Sequence, residues 1–241
     1  MNPGSRGYLS TLRLRYPRLA RLATWIRPRV LWRHLLLKGR GREEVFTYIH
    51  ANRLWDASES VSGAGSTLAA TARIRDELPG ILSSLGVRSL LDAPCGDFHW
   101  MKETPLDLDL YIGGDIVKSL VDRMNERYGG ASRRFVHLDI TCDPLPEAEA
   151  LLCRDCFLHL SNSEILRALD NILRSSCSYL LTSTYPRCAH NADIRTGLSR
   201  PVNLCLPPFN FHEPMQIFAE SLSYVSGKCL GVWDLRAQSG R

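Results

Sequence analysis

Between residues 89 and 235 short apolar runs alternate with stretches of helical periodicity, and this alternation leaves few architectures open to the chain. The runs at 89–93, 110–115, 135–139, 148–155 and 179–184 each read as a strand, and 229–235 supplies a last one. Helical patterns at 116–128 and 161–173 separate them, the second opened by Ser161 with Glu164 three residues on, the spacing of a capping box. Strand, helix, strand repeated in this way predicts an α/β fold with a mostly parallel, doubly wound sheet covered on both faces.

Upstream, residues 44–54 read as a short helix ending near Trp55, and Glu59-Ser-Val-Ser-Gly-Ala-Gly-Ser66 as a polar loop. Ser66 is the expected cap of a following helix carrying Leu68, Ile74, Leu78, Ile81 and Leu82, which Pro79 should kink or split. The charge is divided: residues 1–42 hold 11 Lys and Arg and no acid, whereas 43–241 hold 19 basic and 25 acidic residues. The organisation expected is a basic amphipathic N-terminal arm, 1–42, on a body of 43–241. Pro17 and Pro28 suit the starts of two short helices in the arm. Three readings of it stand side by side: a face for an anionic membrane or nucleic acid, a helical pair packed on the body, and an organelle transit peptide.

No run approaches the roughly 18 apolar residues of a membrane span, and no secretory signal pattern opens the chain. Eight cysteines scattered through apolar segments read as free thiols in a reducing compartment. The expected setting is cytoplasmic, with peripheral membrane contact through residues 1–42 left open.

Ligands of such sheets bind beyond the carboxyl ends of the strands, where strand order reverses. Asp115, Asp139 and Asp155 stand at strand exits, and Asp92 lies within the exit of the first. A lone aspartate there is commonly a turn or cap residue; four in register point to a site. Asp115 follows Asp92 by 23 residues, near the roughly 20 expected of an acid that holds a ribose. A dinucleotide needs a glycine-rich cradle, but Asp92-Ala-Pro-Cys-Gly-Asp97 has only Gly96, with Asp97 beside it. A carboxylate facing a phosphate at 4 Å costs on the order of 4 kcal/mol at an effective dielectric near 20. S-adenosyl-L-methionine suits the acids better: its ribose diol fits Asp115, its adenine Asp139, and its sulfonium and ammonium prefer acidic surroundings.

The strand-end motifs Leu90-Leu-Asp-Ala-Pro-Cys-Gly-Asp97, Gly113-Gly-Asp-Ile116, His137-Leu-Asp-Ile140 and Leu152-Cys-Arg-Asp-Cys-Phe-Leu-His-Leu160 resemble, in that order, those of class I S-adenosylmethionine-dependent methyltransferases. The resemblance covers about residues 54–237 and implies a Rossmann-like methyltransferase fold. It further implies that Asp92, Ala93, Gly96 and Asp97 contact the methionine end, with Pro94 and Cys95 in the same loop. Asp115, followed by Ile116, would hold the ribose, Asp139 with Ile140 the adenine, and Arg154 and Asp155 would lie beside the transferring methyl. Residues 59–66, 94–101 and 191–197, with Asn203-Leu204 and Pro207-Pro-Phe209, look like a bacterial-type subgroup linked with surface glycan synthesis. Pro94 stands where the wider family commonly has glycine.

Methyl transfer is an in-line displacement, so alignment of the acceptor and removal of its proton are the tasks left to the protein. An oxygen acceptor needs a base, and Asp155 and His159 are the candidates. Asp155 as a partner of the methionine ammonium and His159 as a packing residue are the plainer alternatives. His190, Asn191, Asp193, Arg195 and Asn203, in a long segment after the fifth run, are expected to form the acceptor pocket. Cys153 and Cys156 have metal-pair spacing, but on a strand residues three apart face opposite sides and no second pair exists, so no metal is expected. Cys95 has a nucleophilic and a backbone reading, of which its place in the turn favours the second. The function expected is O-methylation of a sugar or glycan-linked small acceptor, with nucleic acid not expected as a partner. A nicotinamide-dependent oxidoreductase and a non-catalytic S-adenosylmethionine-binding module are the competing readings.

Overall fold

The computed structural model describes residues 37–55, 57–220 and 227–238; the arm reading for residues 1–36 lies outside these. Two compact units divide the chain at residue 40, and of the first only 37–40 are described, with a turn at 37–39. The second unit, from Gly41 onward, holds all the regular elements described here.

Its elements in chain order are α1 (Arg42–Ala51), α2 (Leu68–Ser84), β1 (Ser89–Asp92), β2 (Leu110–Asp115), α3 (Lys118–Tyr128), β3 (Arg133–His137), β4 (Ala150–Cys153), α4 (Asn162–Leu173), β5 (Tyr179–Thr184), β6 (Gln216–Ala219), β7 (Cys229–Asp234) and α5 (Leu235–Gln238). The seven strands form one sheet in the order β3-β2-β1-β4-β5-β7-β6. The first five are parallel, and β7 runs antiparallel between β5 and β6. Strand order reverses between β1 and β4, the point where such sheets open a crevice.

Successive strand residues feed opposite cores. Leu91, Leu151, Leu180 and Trp233 pack with Ile165, Leu169 and Ile172 of α4. Their neighbours Leu90, Leu152, Leu181 and Val232 pack with Ile74, Leu78 and Ile81 of α2 and Leu120 and Met124 of α3. Burial on both faces explains why these strands are apolar runs rather than alternating ones.

Several boundaries differ from the sequence reading for local reasons. Gly41 is extended and its N–H donates to Glu44 Oε2, so α1 starts at Arg42, two residues before the expected start. Thr67, not Ser66, caps α2: its Oγ1 accepts from Ala70 N, while Ser66 ends a short 3-10 turn, Ala64–Ser66. The helix runs through Pro79 as one element. The third strand starts earlier and stops at His137, because Asp139 folds into a turn in which its Oδ1 accepts from Thr141 N and Oγ1. The fourth stops at Cys153, since Asp155 at φ 53° cannot continue a strand. Strand β6 went unread because its four residues lie at the sheet edge, half of them exposed, and carry no buried alternation. The capping box of α4 is formed as its spacing predicts.

Candidate functional site

A cavity of about 400 Å³ opens at the carboxyl ends of β1, β2 and β4. The residues expected to bind the cofactor or to act as base all line it except Asp97: Asp92, Ala93, Pro94, Cys95 and Gly96 from the first turn, Asp115 and Ile116 after β2, Asp139 and Ile140 after β3, and Arg154, Asp155 and His159 after β4.

Asp92 ends β1 with 3% exposure and accepts a 2.6 Å hydrogen bond from the Tyr111 hydroxyl. Burial pushes its carboxyl up to about 7, against the pull of Tyr111 and Arg154. Asp115 ends β2, 7% exposed, and accepts from Val117 N at 2.9 Å and Gly96 N at 3.1 Å. Burial again outweighs these bonds and raises it to about 6. The turn brings the two together because Gly96, at φ 57°, adopts a left-handed conformation that a side chain would strain.

Asp139 has a different environment from the one expected of a free adenine partner. Its Oδ2 accepts from Arg42 Nε at 2.9 Å and Nη2 at 2.7 Å, and its Oδ1 is used by Thr141. Despite the desolvation of its site, these bonds hold its carboxyl below the usual range. Arg42 Nη1 also reaches Glu164 Oε1 at 3.5 Å. Helix α1 thus lays Arg42, Phe46, Ile49 and His50, residues of one helical face, along the cavity.

Asp155 lies in a buried four-charge network. Lys228 Nζ donates to its two oxygens at 3.0 and 2.8 Å, Arg154 Nη1 lies 3.3 Å away, and Ser183 Oγ binds it as well. Glu220 completes the network, accepting from Arg154 Nη2 at 2.6 Å and pairing with Lys228 at 3.0 Å. The Arg154 guanidinium lies over the Trp100 ring, 5.3 Å from its centre. Burial alone would raise Asp155, but Arg154 and Lys228 hold it at about 2. A carboxylate so paired is held in its ionised form.

His159 Nδ1 lies 2.8 Å from the Leu198 carbonyl, which can only accept, so Nδ1 carries a hydrogen and donates it. The ring stacks on Trp55 at 4.2 Å and 27°, and Phe46 meets Trp55 at 5.9 Å.

Asp97 turns from the cavity: its carboxylate accepts from Ser60, Val61 and Ser62, and so it is no counter-charge to a ligand phosphate. His190, Asn191, Asp193, Arg195 and Asn203 do not line the cavity either. Asn191 Nδ2 donates to the Asn203, Leu206 and Pro207 carbonyls and so fastens its own segment, while Asp193 accepts from Asn162 N at the start of α4. Cys153 ends β4 and Cys156 lies in the turn beyond it, so the alternation of a strand does not govern the pair. Among the described residues no group of three or more His, Cys, Asp or Glu is placed to hold a metal ion.

The sequence reading missed Trp55, Trp100, Tyr185, Lys228, the α1 face and residues 61–66, all of which line the cavity. The small residues of 61–66 were a visible signal. Lys228 had none, since only sheet pairing of β7 carries it to Asp155.

No family model matches this chain, and no curated protein matches it. Among solved structures it is similar to the N-methyltransferase NodS from Bradyrhizobium japonicum WM9 in complex with S-adenosyl-L-homocysteine. That likeness has a TM-score of 0.58 and 13% identity over 78% of this chain and 97% of that one. Magnesium protoporphyrin IX methyltransferase (ChlM) from Synechocystis PCC 6803 with bound SAM is similar over 81% of this chain and 97% of its own, with a TM-score of 0.52 and 12% identity. Of the methyltransferase domain of bacterial CtHen1 the chain spans 66%, at a TM-score of 0.42. At such identities the likeness speaks for architecture: this chain has the Rossmann-like fold of the class I methyltransferases.

Proposed function

We propose that this chain is an S-adenosyl-L-methionine-dependent methyltransferase acting on an oxygen of a sugar or glycan-linked small acceptor. One observation carries the cofactor assignment: Asp92 and Asp115, buried at adjacent strand exits, face one cavity beside a turn with a single glycine. Two carboxylates that ionise near neutrality favour a cationic nucleoside and disfavour a pyrophosphate. It is this pair, and not Asp97, that repels a dinucleotide's phosphates.

S-adenosylmethionine, when bound, supplies an electrophilic methyl on a sulfonium. In this reading Asp115 accepts from the ribose hydroxyls, Asp92 and the backbone of 93–96 serve the methionine end, and Ile140 gives the adenine an apolar wall. Asp139 acts through Arg42, which it holds at that end of the cavity. His159 takes the acceptor's proton at Nε2, while Asp155 keeps Lys228 and Arg154 in place. Phe46 and Trp55 exclude water.

The glycan half rests on the subgroup resemblance of residues 59–66, 94–101 and 191–197. The basic composition of residues 1–42 suits an acceptor carried on an anionic membrane surface, and eight unpaired cysteines suit the cytoplasm. Calorimetry with S-adenosylmethionine, S-adenosylhomocysteine and NAD tests the cofactor, and preferential NAD binding overturns it. Incubation with methyl-labelled cofactor and fractionated extract tests the acceptor. Label is expected in a glycan or glycolipid fraction; label in nucleic acid overturns that assignment, and binding without transfer to any fraction supports a binding module.

A further inference from the structure

Asp97 is the one residue of the expected cofactor loop, 92–97, that stands outside the cavity wall, yet its carboxylate is fully engaged. We infer that Asp97 is a positioning residue, which through a clasp on residues 60–62 sets the cavity wall made by residues 61–66; the inference rests on the methyltransferase reading above.

Asp97 Oδ2 accepts from Ser60 Oγ and Val61 N, both at 2.9 Å, and its Oδ1 accepts from Ser62 Oγ at 3.2 Å. Asp97 N donates back to Ser62 Oγ at 3.0 Å, and Ser62 N donates to Ser60 Oγ at 3.1 Å. The ring of bonds is closed: each hydroxyl donates its one hydrogen to the carboxylate and accepts one from a backbone N–H. Backbone packing reinforces it at both ends. A Cβ on Gly96 would lie 2.4 Å from Ser62 Oγ, and a Cβ on Gly65 would lie 2.9 Å from Asp155 Oδ2. The segment is therefore pressed between the first turn and the Asp155 network. Beyond Val61 its residues are Ser62, Gly63, Ala64, Gly65 and Ser66, all lining the cavity. Side chains this small cannot repack to restore a displaced wall, so its position is set by the backbone, and the backbone by Asp97.

The test compares wild type with Asp97→Asn, Asp97→Ala, Ser60→Ala/Ser62→Ala and the combined triple variant. Its readouts are S-adenosylhomocysteine affinity by calorimetry and hydrogen exchange over residues 57–66. An amide still accepts from Val61 N and donates to a serine hydroxyl, so Asp97→Asn retains most of the affinity and protection. Asp97→Ala and the double serine variant each lose roughly tenfold to a hundredfold in affinity, the equivalent of one charge-assisted hydrogen bond, and lose protection at 57–66. The triple variant is no worse than either, because all three break the same clasp. Losses that add in the triple variant, or an Asp97→Asn as impaired as Asp97→Ala, overturn the inference in favour of direct ligand contact. If Asp97→Ala fails to fold, Asp97→Asn and the double serine variant still decide. Should wild type not bind S-adenosylhomocysteine, the methyltransferase reading falls, while exchange in the same variants upholds the clasp if protection is lost and overturns it if protection persists.

Discussion

Cofactor affinity should climb with pH through the range in which Asp92 and Asp115 ionise. In the free protein burial holds Asp92 at about 7 and Asp115 at about 6, with the Tyr111 hydroxyl and two backbone N–H groups only partly offsetting the loss of water. A ligand carrying a sulfonium and an ammonium favours both ionised forms, so binding below these values must expel protons. By linkage, affinity should fall by a factor of roughly 100 between pH 8 and 5.5, about 30 from Asp92 and about 4 from Asp115. That corresponds to about 2.7 kcal/mol of binding free energy. Calorimetry across this range, in two buffers of different ionisation enthalpy, measures both the affinity and the protons released. Asp92→Asn preserves the shape and the Tyr111 bond, and should leave only the shallow dependence of Asp115. Affinity that is flat with pH, or a wild-type slope in Asp92→Asn, would show that these carboxylates do not face the ligand's cations. The same raised value acts on folding with the opposite sign. The unfolded carboxyl ionises near 3.8 and the folded one near 7, so stability present in acid is lost as pH rises through that window. The loss amounts to about 4 kcal/mol. Denaturant unfolding of the free protein above pH 7 should accordingly find Asp92→Asn more stable than wild type.

Arg42→Ala removes the partner of Asp139 and should speed S-adenosylhomocysteine dissociation about tenfold or more in stopped-flow measurements, the effect of one charge-assisted hydrogen bond at the edge of the cavity. An unchanged dissociation rate would mean that α1 does not guard the ligand. His159→Asn should lower the turnover of the labelled acceptor by roughly 10²- to 10⁴-fold and leave S-adenosylhomocysteine affinity alone, whereas a packing role would lower both together. Glu220→Gln, at a side chain only 2% exposed, leaves Arg154 and Lys228 short of a counter-charge and should cost about 3–5 kcal/mol in urea unfolding. A cost below about 1 kcal/mol would show that water or rearrangement replaces the lost charge.

Much of this protein is written in local order along the chain. The apolar runs around Leu90, Leu151 and Leu180 are buried on both faces because neighbouring residues serve different cores, and that requirement shows in composition alone. The Ser161 and Glu164 capping box, and the return of an aspartate near the exits of the first four strands, follow from interactions within a few residues, which a sequence displays directly. What each acid does depends on partners brought from afar. Arg42 reaches Asp139 across 97 positions, and Lys228 reaches Asp155 across 73, the latter only because β7 inserts between β5 and β6. Asp92 and Asp155 look alike in one dimension, yet burial beside a single hydroxyl raises the first, while two cations depress the second. Asp97 reads as a ligand acid until the turn at Gly96 directs it onto Ser60 and Ser62. Periodicity and capping are short-range and fix the scaffold; charge state and side-chain direction are set by desolvation and long-range pairing, and these exist only once the chain has folded.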